Sequence, residues 1–127
     1  MRRIQLLLVD DESDFLIAYA RRLARRNVEV STAPRARDAI EAIKAAHFDV
    51  VVMDVMMPGM SGIEALKTIK KIAPGLPVIL LTGHANSEAA LQGMAYGAFD
   101  YMLKPVGTDE LYFKIQEAVR AGVAGVA

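Results

Sequence analysis

Four apolar runs in this chain end on residues that can do chemistry. Asp10 and Asp11 follow Ile4–Val9, Asp54 follows Val50–Met53, Thr82 follows Val78–Leu81, and Lys104 follows Phe99–Leu103. Three carboxylates, a hydroxyl and an ammonium are a restricted set. Brought together, the carboxylates repel and raise one another's pKa, and a divalent cation relieves that cost. Oxygen donors from two or three acids, with positions left for water, suit Mg²⁺ better than zinc. Cysteine is absent and the two histidines lack metal-site spacing. A carboxylate beside such an ion can attack phosphorus and form an acyl phosphate. The hydroxyl and ammonium then stabilise the charge that spreads over the phosphoryl oxygens.

For these residues to meet, their runs must be parallel strands with shared carboxyl ends. Val50–Met53 is rich in β-branched residues and reads as a strand buried on both faces. Pro58 and Gly59 then force a loop, and Ser61 with Glu64 forms a capping box that opens a helix at about Gly62–Ile72. Helical spacing recurs elsewhere: Leu16, Tyr19, Ala20 and Leu23 within about Asp14–Arg26, and Ala36, Ala39, Ile40 and Ile43 behind Pro34, which suits a first turn. Val28–Ser31 is a short strand between these two helices. A fourth helix spans about Ser87–Tyr96 and stops at Gly97. A fifth is capped by Thr108, with Leu111, Ile115, Ala118 and Val119 on its apolar side. Five strands alternate with five helices, which argues for an α/β fold on a parallel sheet with helices on both faces. Ligands of such sheets bind outside the carboxyl ends of the strands.

The composition narrows the function classes. A chain of 127 residues fits one domain. Fifteen basic and fifteen acidic residues cancel, so no global charge draws the chain to nucleic acid. Without cysteine there is no disulfide framework or thiol chemistry. No apolar run approaches the ~20 residues that span a bilayer, and the short run behind Arg2 and Arg3 does not make a signal peptide.

The whole chain to about Ala121 resembles the receiver domain of bacterial two-component response regulators, of the chemotaxis-regulator kind. The resemblance is carried by Leu8-Val9-Asp10-Asp11-Glu12, by Asp54 with Met57-Pro58-Gly59-Met60-Ser61-Gly62, by Leu81-Thr82-Gly83, and by Tyr101 with Lys104-Pro105. It implies a single-domain (βα)5 flavodoxin-like three-layer sandwich with a parallel five-stranded sheet of order 2-1-3-4-5. It implies that Asp54 accepts a phosphoryl group from a sensor histidine kinase or phosphotransfer protein. Asp11, Asp54 and the backbone carbonyl of Met56 would bind Mg²⁺ directly, and Asp10 mostly through a metal-bound water. Thr82 and Lys104 would hold phosphoryl oxygens, and the peptide before Pro105 would be cis.

The family's switch follows: Thr82 moves inward, Tyr101 turns in behind it, and the face of the fourth helix, fifth strand and fifth helix changes its partner. The protein is then a signalling switch rather than an enzyme, though it assists its own phosphotransfer and dephosphorylation. Expected partners are the kinase, a downstream output domain or protein, and a phosphorylation-dependent homodimer. Direct nucleic-acid binding and a membrane are not expected, and the location is cytoplasmic. Residues 1–121 form the domain, with 122–127 as a flexible tail or the start of a linker. Met56 and His84 flank the path of an attacking water, and an apolar Met56 favours a long-lived phosphoryl group.

Plainer readings stand beside these. Asp11 can be a helix cap, Thr82 a turn residue, Lys104 a solvated surface lysine and Tyr101 a static strand aromatic. His84 reads as a loop residue rather than a relay histidine. Met53, Met56, Met57 and Met60 read as packing rather than a soft-metal box. Arg21, Arg22, Arg25 and Arg26 read as a solvated face, or as a surface for an acidic patch of the kinase.

Other functions fit less well. An aspartyl-nucleophile hydrolase of the haloacid dehalogenase kind needs a second acid two residues past the nucleophile, where this chain has Met56. A pseudo-receiver would lack one of the key residues. A flavodoxin needs a phosphate-cradling loop where this chain has Asp10-Asp11-Glu12.

Overall fold

The computed structural model describes residues 2–83 and 88–126. The elements alternate as β1 (Ile4–Val9), α1 (Ser13–Ala24), β2 (Val28–Ala33), α2 (Ala36–Ala45), β3 (Val50–Asp54), α3 (Gly62–Ile72), β4 (Val78–Thr82), α4 (Glu88–Ala95), β5 (Asp100–Leu103) and α5 (Thr108–Val126). The strands form one parallel sheet in the order β2-β1-β3-β4-β5. This is the flavodoxin-like order.

Period-two alternation divides the core into two layers. Leu7, Val9, Val51, Met53, Val78 and Leu80 face Ala36, Ala39 and Ile40 of α2 and Ile63, Leu66 and Ile69 of α3. Leu6, Leu8, Val50, Val52, Ile79 and Leu81 face Leu16 and Leu23 of α1 and Leu111, Ile115 and Ala118 of α5. The central strands β3 and β4 are apolar up to their last residues, Asp54 and Thr82, because both faces are covered.

The register sets the site. Val9 lies level with Met53, Asp54 with Leu81, and Thr82 with Leu103. Asp10, Asp54, Thr82 and Lys104 therefore all fall within one residue of a common edge. Asp10 and Asp54 continue the alternation that points Leu8 and Val52 toward α1 and α5, whereas Thr82 continues that of Leu80 on the opposite face.

Several boundaries differ from those expected. Strand β2 runs on to Ala33, because Thr32 and Ala33 find partners in Leu8 and Val9. Helix α2 starts at Ala36, because Arg35 is still extended at φ −142° and ψ 158°, which leaves Pro34 ahead of the first turn. Thr108 is the first helical residue of α5 rather than its cap. The cap is Gly107: its carbonyl accepts from the Leu111 N–H at 2.9 Å, and its own N–H donates to the Glu110 carboxylate at 3.5 Å.

Helix α5 runs to Val126, into the stretch read from the sequence as a flexible tail or the start of a linker. Gly122 sits close on the Pro77 ring, where a Cβ would come within 3.3 Å. Helix α4 closes as expected at Gly97 (φ 102°), with Ala98 N–H donating to Gly93 and Gly97 N–H to Met94. Ser87 and His84 lie outside the described residues.

Candidate functional site

The β1–α1 loop supplies the acids at one side of the edge. The α1 cap position is Glu12, so Asp11 is not used as a cap. The Glu12 N–H donates to Asp10 Oδ1 at 2.9 Å and turns the loop around that carboxylate. Asp10 is fully buried and Asp11 is exposed. Asp54 ends β3 with its side chain 9% exposed, and its Oδ1 accepts the Met56 N–H at 3.3 Å. Carboxylate oxygens of Asp10, Asp11 and Asp54 lie within 4.8 Å of one another.

Hydrogen bonds also fix the β3–α3 connection. Ser61 Oγ accepts the Glu64 N–H at 3.2 Å, the first half of the capping box. The Glu64 carboxylate lies 3.5 Å from the Ser61 hydroxyl rather than reaching the Ser61 N–H. Gly62 N–H donates to the Val55 carbonyl at 2.9 Å. A Cβ at Gly62 would stand 2.4 Å from the Asp54 carbonyl oxygen, so the helix reaches this distance only because the residue is glycine.

Lys104 enters from the far end of the sheet. The Lys104–Pro105 peptide is cis, and the Lys104 N–H donates to the Thr82 carbonyl at 2.8 Å. The ammonium lies 2.7 Å from Asp10 Oδ2, 3.3 Å from Glu12 Oε1 and 3.5 Å from Asp54 Oδ2. It also lies over the Phe15 ring, 4.7 Å from the centroid. Thr82 is buried at the end of β4. Tyr101 is half-buried against the core layer that holds Leu80, and its N–H donates to the Asp100 carboxylate at 2.7 Å. Met56, two residues past Asp54, is 68% exposed.

These contacts set the electrostatics. Burial pushes the Asp54 carboxyl above the ordinary aspartate value. The Lys104 charge pulls it back, the Asp10 charge pushes it up again, and the Met56 N–H pulls it down; burial and repulsion prevail. For Lys104, burial alone lowers the pKa. The Asp10 hydrogen bond, the charges of Asp54 and Asp10, and the Glu12 hydrogen bond outweigh it and hold the ammonium above its ordinary value. One ammonium thus serves three carboxylates and leaves Asp54 under-compensated. Clustered hard oxygen donors with unspent charge fit a divalent cation such as Mg²⁺.

The structure brings Asp10, Asp11, Asp54 and Lys104 together and places Thr82 at the same edge. Two further neighbours of Lys104 were not singled out from the sequence, Glu12 and Phe15. The signal for Glu12 was its place directly after the acid pair. Phe15 gave no signal beyond lying in the first turn of α1.

Comparison with known proteins agrees with the geometry. A family model described as the response regulator receiver domain matches residues 6–116. "Regulatory protein AtoC" of Escherichia coli K12 is 38% identical over 116 residues, 91% of this chain and 25% of that protein. "DNA-binding transcriptional regulator NtrC" of the same strain is 36% identical over 119 residues, 94% of this chain and 25% of that protein. The chain spans about a quarter of the length of the curated relatives it matches. Among solved structures, a response regulator receiver domain protein from Clostridium thermocellum superposes with a TM-score of 0.88 at 36% identity, covering 93% of this chain and 95% of that one. A CheY-like receiver domain protein from Methanospirillum hungatei JF-1 gives 0.92 at 29% identity, covering 97% and 98%. No helix among the described residues is long and apolar enough to cross a membrane.

Proposed function

From the premise that this chain belongs to the response regulator receiver domain family of two-component systems, we infer that Asp54 is its phosphoryl acceptor. The observation that carries this is the placement of the Asp54 carboxylate. It ends the central strand beside two further acids and lies 3.5 Å from the Lys104 ammonium. An Asp54 oxygen attacks the phosphorus of a phosphohistidine on a sensor kinase or phosphotransfer protein. The O–P bond forms as the N–P bond breaks, and the imidazole leaves. Lys104 and the Thr82 hydroxyl hold oxygens of the arriving group, whose charge needs fixed donors in a partly dry site.

Asp11, Asp54 and the Met56 carbonyl are the groups to hold Mg²⁺, with Asp10 acting through water. Bound there, the ion supplies neutralisation of the acids and of the phosphoryl oxygens. Thr82 and Tyr101 then form the switch. The readout surface is the face of α4, β5 and α5, where Leu91, Met94, Leu103 and Phe113 stand exposed. This face would meet a downstream protein, an output domain or, after phosphorylation, a second copy. Residues 1–121 make up this signalling unit, which hydrolyses its own acyl phosphate slowly under the exposed Met56.

Intact mass after incubation with Mg²⁺ and acetyl phosphate tests the assignment. One phosphoryl group is expected, and none with Asp54→Ala or with chelator. A wild-type adduct that survives Asp54→Ala would place the acceptor elsewhere.

A further inference from the structure

Helix α1 carries an aromatic pair that reaches Lys104. Phe15 and Tyr19 are four residues apart and so lie on one side of the helix. Their rings stack with centroids 4.3 Å apart and an interplanar angle of 20°. The outer side of the Phe15 ring receives the Lys104 ammonium at 4.7 Å, and Arg22 approaches the Tyr19 ring at 5.2 Å. The Tyr19 hydroxyl donates to the Val106 carbonyl, two residues past the lysine. The pair thus touches Lys104 at its charged tip and, through Tyr19, the backbone two residues further on.

We propose that Phe15 and Tyr19 are positioning residues for the Lys104 ammonium. This rests on the reading that Lys104 holds phosphoryl oxygens at Asp54. A lysine tip on a flexible four-carbon stem follows whichever charge is nearest. In the metal-free site those charges are Asp10, Glu12 and Asp54. A cation held by Asp11 and Asp54, with Asp10 reached through water, would draw on the same acids as the ammonium. The Phe15 face is uncharged and makes no ligand to a hard cation, so its attraction for the ammonium persists when the ion pairs are diluted. Tyr19 stacks on the ring and ties the Val106 carbonyl to α1. The ammonium therefore stays beside Asp54, where an arriving phosphoryl group needs it.

The test uses acetyl phosphate at saturating Mg²⁺, with the rate of adduct formation read by intact mass, Mg²⁺ affinity by calorimetry, and the Lys104 ε-proton shift by NMR of the metal-free protein. Phe15→Leu is expected to slow the adduct by roughly threefold to tenfold. It should also abolish the ring-current shift of the Lys104 ε-protons while Mg²⁺ affinity stays within about twofold. Phe15→Tyr should restore both rate and shift. Tyr19→Phe changes a single oxygen and keeps the stack, so it remains informative if Phe15→Leu fails to fold; a slowing of roughly twofold to fivefold is expected.

Wild-type rates in both variants, or a rate loss matched by lost Mg²⁺ affinity, would overturn the proposal. An unphosphorylated wild type would overturn the acceptor assignment and this inference with it. A phosphorylated wild type with unchanged variants would overturn this inference alone.

Discussion

Two aspartates bracket strand β3 and differ in almost everything except burial. Asp49, just before the strand, has a side chain 7% exposed, and Asp54, at its end, 9%. Asp49 accepts the Gln5 N–H at 2.8 Å and the Arg2 guanidinium at 2.7 Å, and lies 3.1 Å from His47 Nε2. Burial alone would raise its pKa, but the Gln5 N–H, Arg2 and His47 together hold it below the ordinary value. Asp54 shares one ammonium with Asp10 and Glu12, stands beside two other acids, and is pushed up. The two side chains are similarly exposed, yet the shifts are opposite: at Asp49 the surrounding donors outweigh burial, and at Asp54 burial prevails because a shared ammonium and one N–H do not offset it. A carboxylate with its charge fully met pins β1 to the start of β3. One left short of partners retains charge to offer a cation or an electrophile.

The largest effect expected from this contrast is the response to metal. Mg²⁺ at a hundredfold excess over its dissociation constant should stabilise wild type by about 2.7 kcal/mol, read as a rise in melting temperature. Asp54→Asn should show only a small part of that rise. An equal response in the variant would mean that the ion sits elsewhere.

Next is the other end of the strand. Asp49→Ala removes the acceptor of the Gln5 N–H and the partner of Arg2, and should cost on the order of 2 kcal/mol in urea denaturation. The Mg²⁺ increment should stay at the wild-type value. A variant that also lost its metal response would show that the two ends of β3 are coupled.

The smallest effect lies in pH dependence, and the two residues should give opposite signs. Folding raises the Asp54 pKa, so the folded chain keeps a proton there that the unfolded chain has released. That contribution is complete below the ordinary value of 3.8 and is lost as pH rises through the raised value. Metal-free Asp54→Asn should therefore melt a few degrees above wild type at neutral pH, with the gap closing in acid. Asp49 contributes above 3.8 and loses its contribution as pH falls through its lowered value. Acid titration of melting temperature on the two variants separates them. Parallel curves would dissolve the contrast.

Much of this was legible in the sequence, because strand ends and apolar periodicity are local signals. The runs that end at Asp10, Asp54, Thr82 and Lys104 are visible as text, and a parallel sheet aligns their ends. Boundaries that depend on partners were not visible. Thr32 and Ala33 are strand because Leu8 and Val9 lie beside them, and Gly107 displaces Thr108 as cap because Glu110 reaches back to its N–H. The Asp49 network and the Phe15 face beneath Lys104 each join residues far apart in the chain. Nothing in the local pattern around an aspartate separates one whose charge is met from one whose charge is not.

The absent side chain at Gly62 carries a consequence for redesign. Helix α3 begins so close to the Asp54 carbonyl that even a methyl group would intrude. Asp54 therefore cannot be transplanted as a strand with an acid at its tip. A graft onto another sheet has to bring the following loop and its glycine as one piece, and a library that varies the two positions independently will contain few members that keep the Asp54 backbone in place.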